Sequence, residues 1–291
     1  MSKYLNPKAD LTFKKVFGEH KNLVISLLNS LLPLPEGMEI KSVEYLNPEN
    51  HNGNTKDKYS IVDVKCTDNY GRTFVVEMQN YWTTAFFSRT LYNAVFTYSN
   101  QLRRGETFET LKEVYALSLV NESEIKTADC NKEDIIHEYY LTNTHNPEDI
   151  HKDIALIFVD LQKYKTLGKP LNKGANKIAD LWLKFLTEID DYTIDADPQL
   201  LNNPETSEAL EIVEQAAYSA QELEAYNKYW LDISTERSAL LEYEEKGRVE
   251  GREEGRVEEK IKNAQKMKSK GYPIEDISEI TGLSKDEIEK L

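Results

Sequence analysis

Tyr59-Ser-Ile-Val-Asp-Val-Lys-Cys-Thr67, Asp68-Asn-Tyr-Gly71 and Arg72-Thr-Phe-Val-Val-Glu-Met-Gln79 run on without a gap. The first and last pieces are rich in β-branched and aromatic residues, and the middle piece has turn composition. Together they predict an antiparallel hairpin. With the turn centred near residues 69–70, position 63 lies across from 76 or 77. A period of two puts Ile61, Asp63 and Lys65 on one face, and Val75, Glu77 and Gln79 on one face of the partner strand. The opposite faces carry Val62, Val64 and Cys66, and Phe74, Val76 and Met78, which suit burial.

Asp63 and Glu77 are unusual inside such strands, because a lone buried carboxylate is costly. Two side by side repel and raise one another's pKa. A divalent cation resolves both problems, and hard oxygen ligands at this spacing suit Mg2+. The competing reading makes this face the wet side of a half-exposed hairpin, with Asp63 paired to Lys65 or Lys58 in ordinary surface ion pairs.

Working outward, residues 12–31 read as one amphipathic helix through Phe13, Val16, Phe17, Val24, Leu27, Leu28 and Leu31, with Asp10 placed to cap it. Pro33 and Pro35 end it, and Glu39–Leu46 follows as a strand. After the hairpin, Thr84–Arg104 predicts a helix carrying Phe87, Leu91, Val95 and Leu102. Val114–Val120, Ile135–Leu141 and Ile154–Val159 read as further strands. From about Ala175 the pattern turns helical and acidic.

The charge is uneven. The net charge of the 291 residues is −15, yet Glu188–Glu245 holds sixteen acidic residues and two basic ones, and residues 1–104 hold thirteen Lys/Arg against ten Asp/Glu. The whole-chain charge therefore does not exclude a nucleic-acid partner for the N-terminal part. Residues 241–270, with Gly247, Gly251 and Gly255 at four-residue steps, read as an extended charged helix; self-pairing into a homodimer is the weaker option. Gly271, Pro273, Gly282 and the Ser284/Glu287 capping box punctuate a small helix-turn-helix-like tail, whose last helix is acidic for a DNA reader. Two cysteines, Cys66 and Cys130, form neither a disulfide framework nor a C-x-x-C metal site. Without a membrane span or an apolar leader, the expectation is a soluble cytoplasmic protein. The scattered histidines indicate neither a zinc cluster nor a Ser/His/Asp triad.

The order Asp10-Leu-Thr-Phe-Lys-Lys-Val-Phe-Gly18, Lys58, Asp63-Val-Lys65, Asp68–Gln79 with Glu77-Met-Gln79, then Arg89, Tyr92 and Gln101-Leu-Arg-Arg-Gly105, resembles the PD-(D/E)XK nuclease family of transposases, also called recombination-promoting nucleases. The likeness is strongest over residues 5–122. It implies an α/β, restriction-endonuclease-like core, a mixed central sheet flanked by helices, followed by an α-helical C-terminal region. The expected division is 1–170 nuclease-like core, 171–240 acidic helical extension, 241–270 charged helix or linker, and 271–291 tail. It further implies a Mg2+-dependent deoxyribonuclease, with Mn2+ as substitute, acting on DNA in recombination or mobile elements. Asp63 and Glu77 would hold the metal. Gln79 falls where the wider superfamily has lysine; it carries no charge but is able to orient the attacking water. Lys58 or Lys65 would supply the missing cation, and Asp10 an additional acid. Lys14, Lys15 and Arg89 are candidate phosphate contacts, which position DNA without reading its sequence. The alternative is a catalytically weak relative acting as a DNA- or protein-binding regulator.

Overall fold

The structure is a computed structural model that describes residues 4–50, 60–83, 85–122, 133–168 and 177–291. Lys58 and Cys130 lie outside the described residues. The chain divides into two units, Met1–Trp230 and Leu231–Leu291.

The first unit opens with α1 (Asp10–Phe13), which widens into a π-helical turn over Lys14–Gly18. His20 is extended (φ −115°, ψ 99°), and α2 (Lys21–Leu31) starts after it. The single helix expected over 12–31 is thus two pieces. Both bury their apolar stripe, since Phe13, Val16, Phe17, Leu23, Leu27 and Leu28 are all fully buried. The N-cap of α1 is Ala9, so Asp10 stands inside the first turn and makes no capping bond. The strands are β1 (Val43–Tyr45), β2 (Glu49–Asn50), β3 (Ser60–Ile61), β4 (Val64–Asp68), β5 (Thr73–Tyr81), β6 (Val114–Glu122), β7 (Ile136–Asn143) and β8 (Asn146–Asp160). A mixed six-stranded sheet runs β1-β4-β5-β6-β8-β7, and β2 pairs with β3 apart from it. β5–β6 and β6–β8 are parallel; the other pairs are antiparallel. A parallel pair needs a crossover, and α3 (Phe86–Ser99) supplies it between β5 and β6.

The hairpin register follows from its turn. The Asp68 carboxylate accepts from the N–H groups of Tyr70 and Arg72, both at 2.9 Å, and from Arg72 Nε at 2.8 Å. Arg72 is buried and donates onward to the Met38 carbonyl at 2.7 Å. Gly71 sits at φ +84°, where a side chain is strained, and an added Cβ would also meet Lys112 Cγ at 3.2 Å. Lys65 then faces Val75 and Val64 faces Val76; the ladder ends there, and Asp63, in the bend before it, reaches β5 through its carboxylate at the Met78 N–H.

Helices cover both faces of the sheet, as strands in a parallel arrangement require. Val64, Cys66, Phe74, Val76, Met78, Leu117 and Ile157 pack on the side of α2 and α5 (Lys177–Glu188). Val62, Val75, Ala116 and Phe158 pack with Phe86 and Ala94 of α3. Val62 therefore leaves the face it was expected to share with Val64. The chain bends between β3 and β4, and the bend breaks the period of two. The inward face of α3 also differs from expectation. Leu91 and Val95 are 41% and 45% exposed, whereas Thr90, Asn93, Ala94 and Thr97 are buried. A buried carboxylate on β5 needs a donor, and turning Asn93 inward provides one.

The unit continues through α4 (Leu161–Leu167), α5, α6 (Pro198–Leu201) and α7 (Pro204–Ile212) into the start of α8 (Ala220–Ser269). Trp182 of α5 meets Phe17 edge-on at 5.3 Å, so this acidic region joins the same core.

The second unit is the rest of α8 with α9 (Ile274–Thr281) and α10 (Lys285–Lys290) around Ala264, Ile277 and Ile288. Gly271 and Gly282 take positive φ where helices end, and both halves of the Ser284/Glu287 capping box form. Lys268 Nζ donates to the carbonyls of Ile288 and Glu289 at 2.9 Å, closing the end of α10. Added Cβ atoms at Gly247, Gly251 and Gly255 would meet nothing within 4 Å, in keeping with an extended charged helix.

Candidate active site

Asp63 sits at the bend before β4. Its Oδ2 accepts from the Met78 N–H at 2.6 Å, so the carboxylate stands in for a ladder carbonyl where the backbone breaks away. Burial pushes the Asp63 carboxyl up to about 7; the Met78 N–H opposes this, the Asp10 and Glu77 carboxylates add to it, and Lys14 opposes it.

Glu77 is 7% exposed, under α3. The wet-side reading of this face does not hold, because the crossover helix covers it. Asn93 Nδ2 donates to Glu77 Oε1 at 2.8 Å, and Arg89 Nη2 lies 4.0 Å from Oε2. Burial raises the Glu77 pKa, while the Asn93 bond and the Arg89 charge hold it down.

Gln79 follows on the same face. Its Oε1 accepts from Arg89 Nη2 at 2.6 Å, and its Nε2 donates to the Tyr81 carbonyl at 2.8 Å. One amide hydrogen remains for a water or substrate oxygen. Lys65 faces Val75, which makes it the diagonal neighbour of Glu77, and burial lowers its pKa. Among the predicted residues, the structure thus gathers Glu77, Gln79, Arg89 and Lys65, with Asp63 joined to them through the Met78 N–H, while Asp10 is paired with Lys14.

Lys14 and Lys15 are engaged within the chain. Lys14 pairs with Asp10 at 2.6 Å. Lys15 pairs with Glu222 at 2.6 Å and lies 4.2 Å from the centre of the Tyr218 ring. Either would have to exchange partners to reach a phosphate.

Three residues went unnoticed in the sequence. Asn93 is four positions after Arg89, hence one helical turn along the same face, a spacing that points to it once Arg89 is suspected. Asn80 donates to the hydroxyl of Tyr229 on α8. Burial first, then Asp63 and Asp10, raise the Tyr229 pKa. No local pattern links Tyr229 to a hairpin nearly 150 residues away.

The family model for the PD-(D/E)XK nuclease family transposases matches residues 7–239. The chain belongs to that family. The mixed six-stranded sheet flanked by helices and the helical C-terminal region agree with a restriction-endonuclease-like fold. No curated protein and no solved structure matches the chain.

PD-(D/E)XK nucleases generally use divalent metals, and the donor set of this chain can be tested against one. Among the described residues there is no group of three or more His, Cys, Asp or Glu side chains able to hold an ion. A site here rests on two carboxylates. That suits a hard cation that keeps several waters and takes one or two carboxylates plus a phosphate. Burial disfavours the charged form of both carboxylates, and a cation held by them would offset that penalty. The residues fit.

Proposed function

We propose that this PD-(D/E)XK transposase-family chain is a divalent-metal-dependent DNA endonuclease, with Asp63 and Glu77 holding Mg2+ or Mn2+. The observation that carries the reading is geometric: Asp63 Oδ2 accepts from the N–H of Met78, the residue next to the buried Glu77, so carboxylates from the bend before β4 and from β5 come together. When bound, the metal supplies charge stabilisation at the phosphoryl oxygens and a more acidic water.

The chain's own residues do the rest. The Met78 N–H and the Asn93 amide fix the two carboxylates. The remaining N–H of Gln79 is placed to orient the attacking water. Arg89 supplies positive charge beside Gln79, where the resemblance leads one to expect lysine, and Lys65 adds charge from the strand side. Arg89 is half exposed, so a phosphate is able to approach it. Charge placed in advance lowers the barrier without reorganisation during the reaction.

The second reading, a weakly active relative that regulates by binding DNA or protein, draws support from Lys15, whose charge Glu222 already occupies. Among the described residues no helix is long and apolar enough to cross a membrane.

Supercoiled plasmid incubated with the full chain and Mg2+ or Mn2+ separates the two readings. Nicked or linear product that disappears with chelator supports the nuclease. An intact plasmid that shifts on a gel supports the binding regulator.

A further inference from the structure

Asn93 is fully buried on α3, next in sequence to Ala94, which belongs to the apolar layer that α3 makes with Val75, Ala116 and Phe158 of the sheet. An amide is a poor choice for such a layer, and its Oδ1 is buried with no partner among the described residues. A leucine of nearly the same shape would suit the apolar neighbours better. What the amide does is hold one oxygen of Glu77 at 2.8 Å. The other, Oε2, lies 4.0 Å from Arg89 Nη2, beyond hydrogen-bond reach. Ser118, in register with Glu77 on β6, also has a buried hydroxyl without a partner among the described residues. The carboxylate thus has one oxygen tied to the helix and one left for a ligand.

We propose that Asn93 is a positioning residue: its amide fixes Glu77 so that Oε2 is presented to the divalent cation, and metal affinity depends on it. The inference rests on the metal site proposed above. Partners that orient a metal-binding carboxylate typically affect affinity 10–100-fold on loss, roughly as for other such groups. A purely structural asparagine would behave otherwise. Its replacement would change stability and leave metal affinity alone.

The test is Mn2+ binding by calorimetry to the full-length wild type, Asn93→Leu and Asn93→Ala, alongside thermal unfolding in metal-free buffer. Asn93→Leu fills the layer and Asn93→Ala empties it, so their stabilities differ. The proposal expects both to bind Mn2+ roughly 10–100-fold more weakly than wild type, whichever way each unfolding midpoint moves. Wild-type affinity in a folded variant overturns it, whether or not the midpoint falls. A wild-type protein that binds no Mn2+ overturns the metal site and this inference together. Tight wild-type binding that both variants share overturns this inference alone.

Discussion

Arg89 donates from Nη2 to Oε1 of Gln79 at 2.6 Å, and the same nitrogen lies 4.0 Å from Glu77. One guanidinium on the crossover helix therefore serves two neighbouring positions of β5. In the proposed mechanism it supplies the charge that glutamine lacks. Arg89→Ala is expected to lower cleavage at least 10-fold and to weaken DNA binding. The slope of log affinity against log salt should fall by about 1, as for one lost phosphate contact. Arg89→Lys should recover part of the charge but not the fixed bond to Gln79. Unchanged cleavage and salt slope in Arg89→Ala would show that the pairing only braces the strand.

In the proposed mechanism Asp63 gives up stability for chemistry. Its folded pKa of about 7 lies above the unfolded value of about 4. The folded state then holds the extra proton between those values, so this group's contribution to stability falls as pH rises from 4 to 7. The penalty is fully present at pH 8 without metal. Asp63→Asn should raise the metal-free unfolding midpoint at pH 8, by roughly 2–4 °C per kcal/mol relieved. Adding Mn2+ should raise the wild-type midpoint and leave the variant's unchanged. A variant no more stable than wild type at pH 8 would contradict the buried-charge account.

Lys8 gives a second pH signature, away from the candidate site. Its ammonium is buried and donates to the Leu186 carbonyl at 2.9 Å. Burial, with Lys165 adding to it, lowers its pKa to about 8 against the pull of Asp190 and Asp191. The unfolded chain, with a lysine pKa near 10.4, binds more protons than the folded one between those values. Stability from this group therefore rises from pH 8 to about 10. Urea unfolding at pH 7.5 and 9.5 should show wild type gaining on Lys8→Met. Parallel behaviour of the two would rule the effect out.

The C-terminal unit offers a local test. Ser284→Ala removes one half of the capping box and is expected to cost α10 about 1 kcal/mol. Global unfolding of the larger unit is a poor probe of so small an element. Hydrogen exchange of the α10 amides is the measurement, and unchanged protection there would show that Lys268 and the Ile288 contact hold the helix by themselves.

The hairpin was legible because its signals are local. The Asp68–Gly71 turn sets the register from Thr67↔Thr73 to Val64↔Val76, and the bend that follows carries Asp63 to the Met78 N–H, a link no period of two predicts. The strands expected at Val114–Val120 and Ile135–Leu141, observed over Val114–Glu122 and Ile136–Asn143, and the punctuation of the tail were readable for the same reason. The orientation of α3 was not, since periodicity ranks Leu91 and Val95 above Asn93. The face that packs on the sheet carries Phe86, Thr90, Asn93, Ala94 and Thr97 instead, and Asn93 on it meets the buried Glu77. Nor was the break in the first helix at His20, where the apolar spacing continues across the gap. Tyr229 and Glu222 reach the N-terminal helix and the hairpin through tertiary packing alone, so nothing near them in the sequence marks them.

Cleavage of supercoiled plasmid by wild type, Asp63→Asn, Glu77→Gln and the double variant, each with Mn2+ and each shown to be folded, tests the central claim most directly. The account predicts that wild type converts plasmid to nicked or linear form. Each single change should lose at least 100-fold, and the double should do little worse than either single, since the two carboxylates act as one unit. A folded double variant that cuts at the wild-type rate would contradict it.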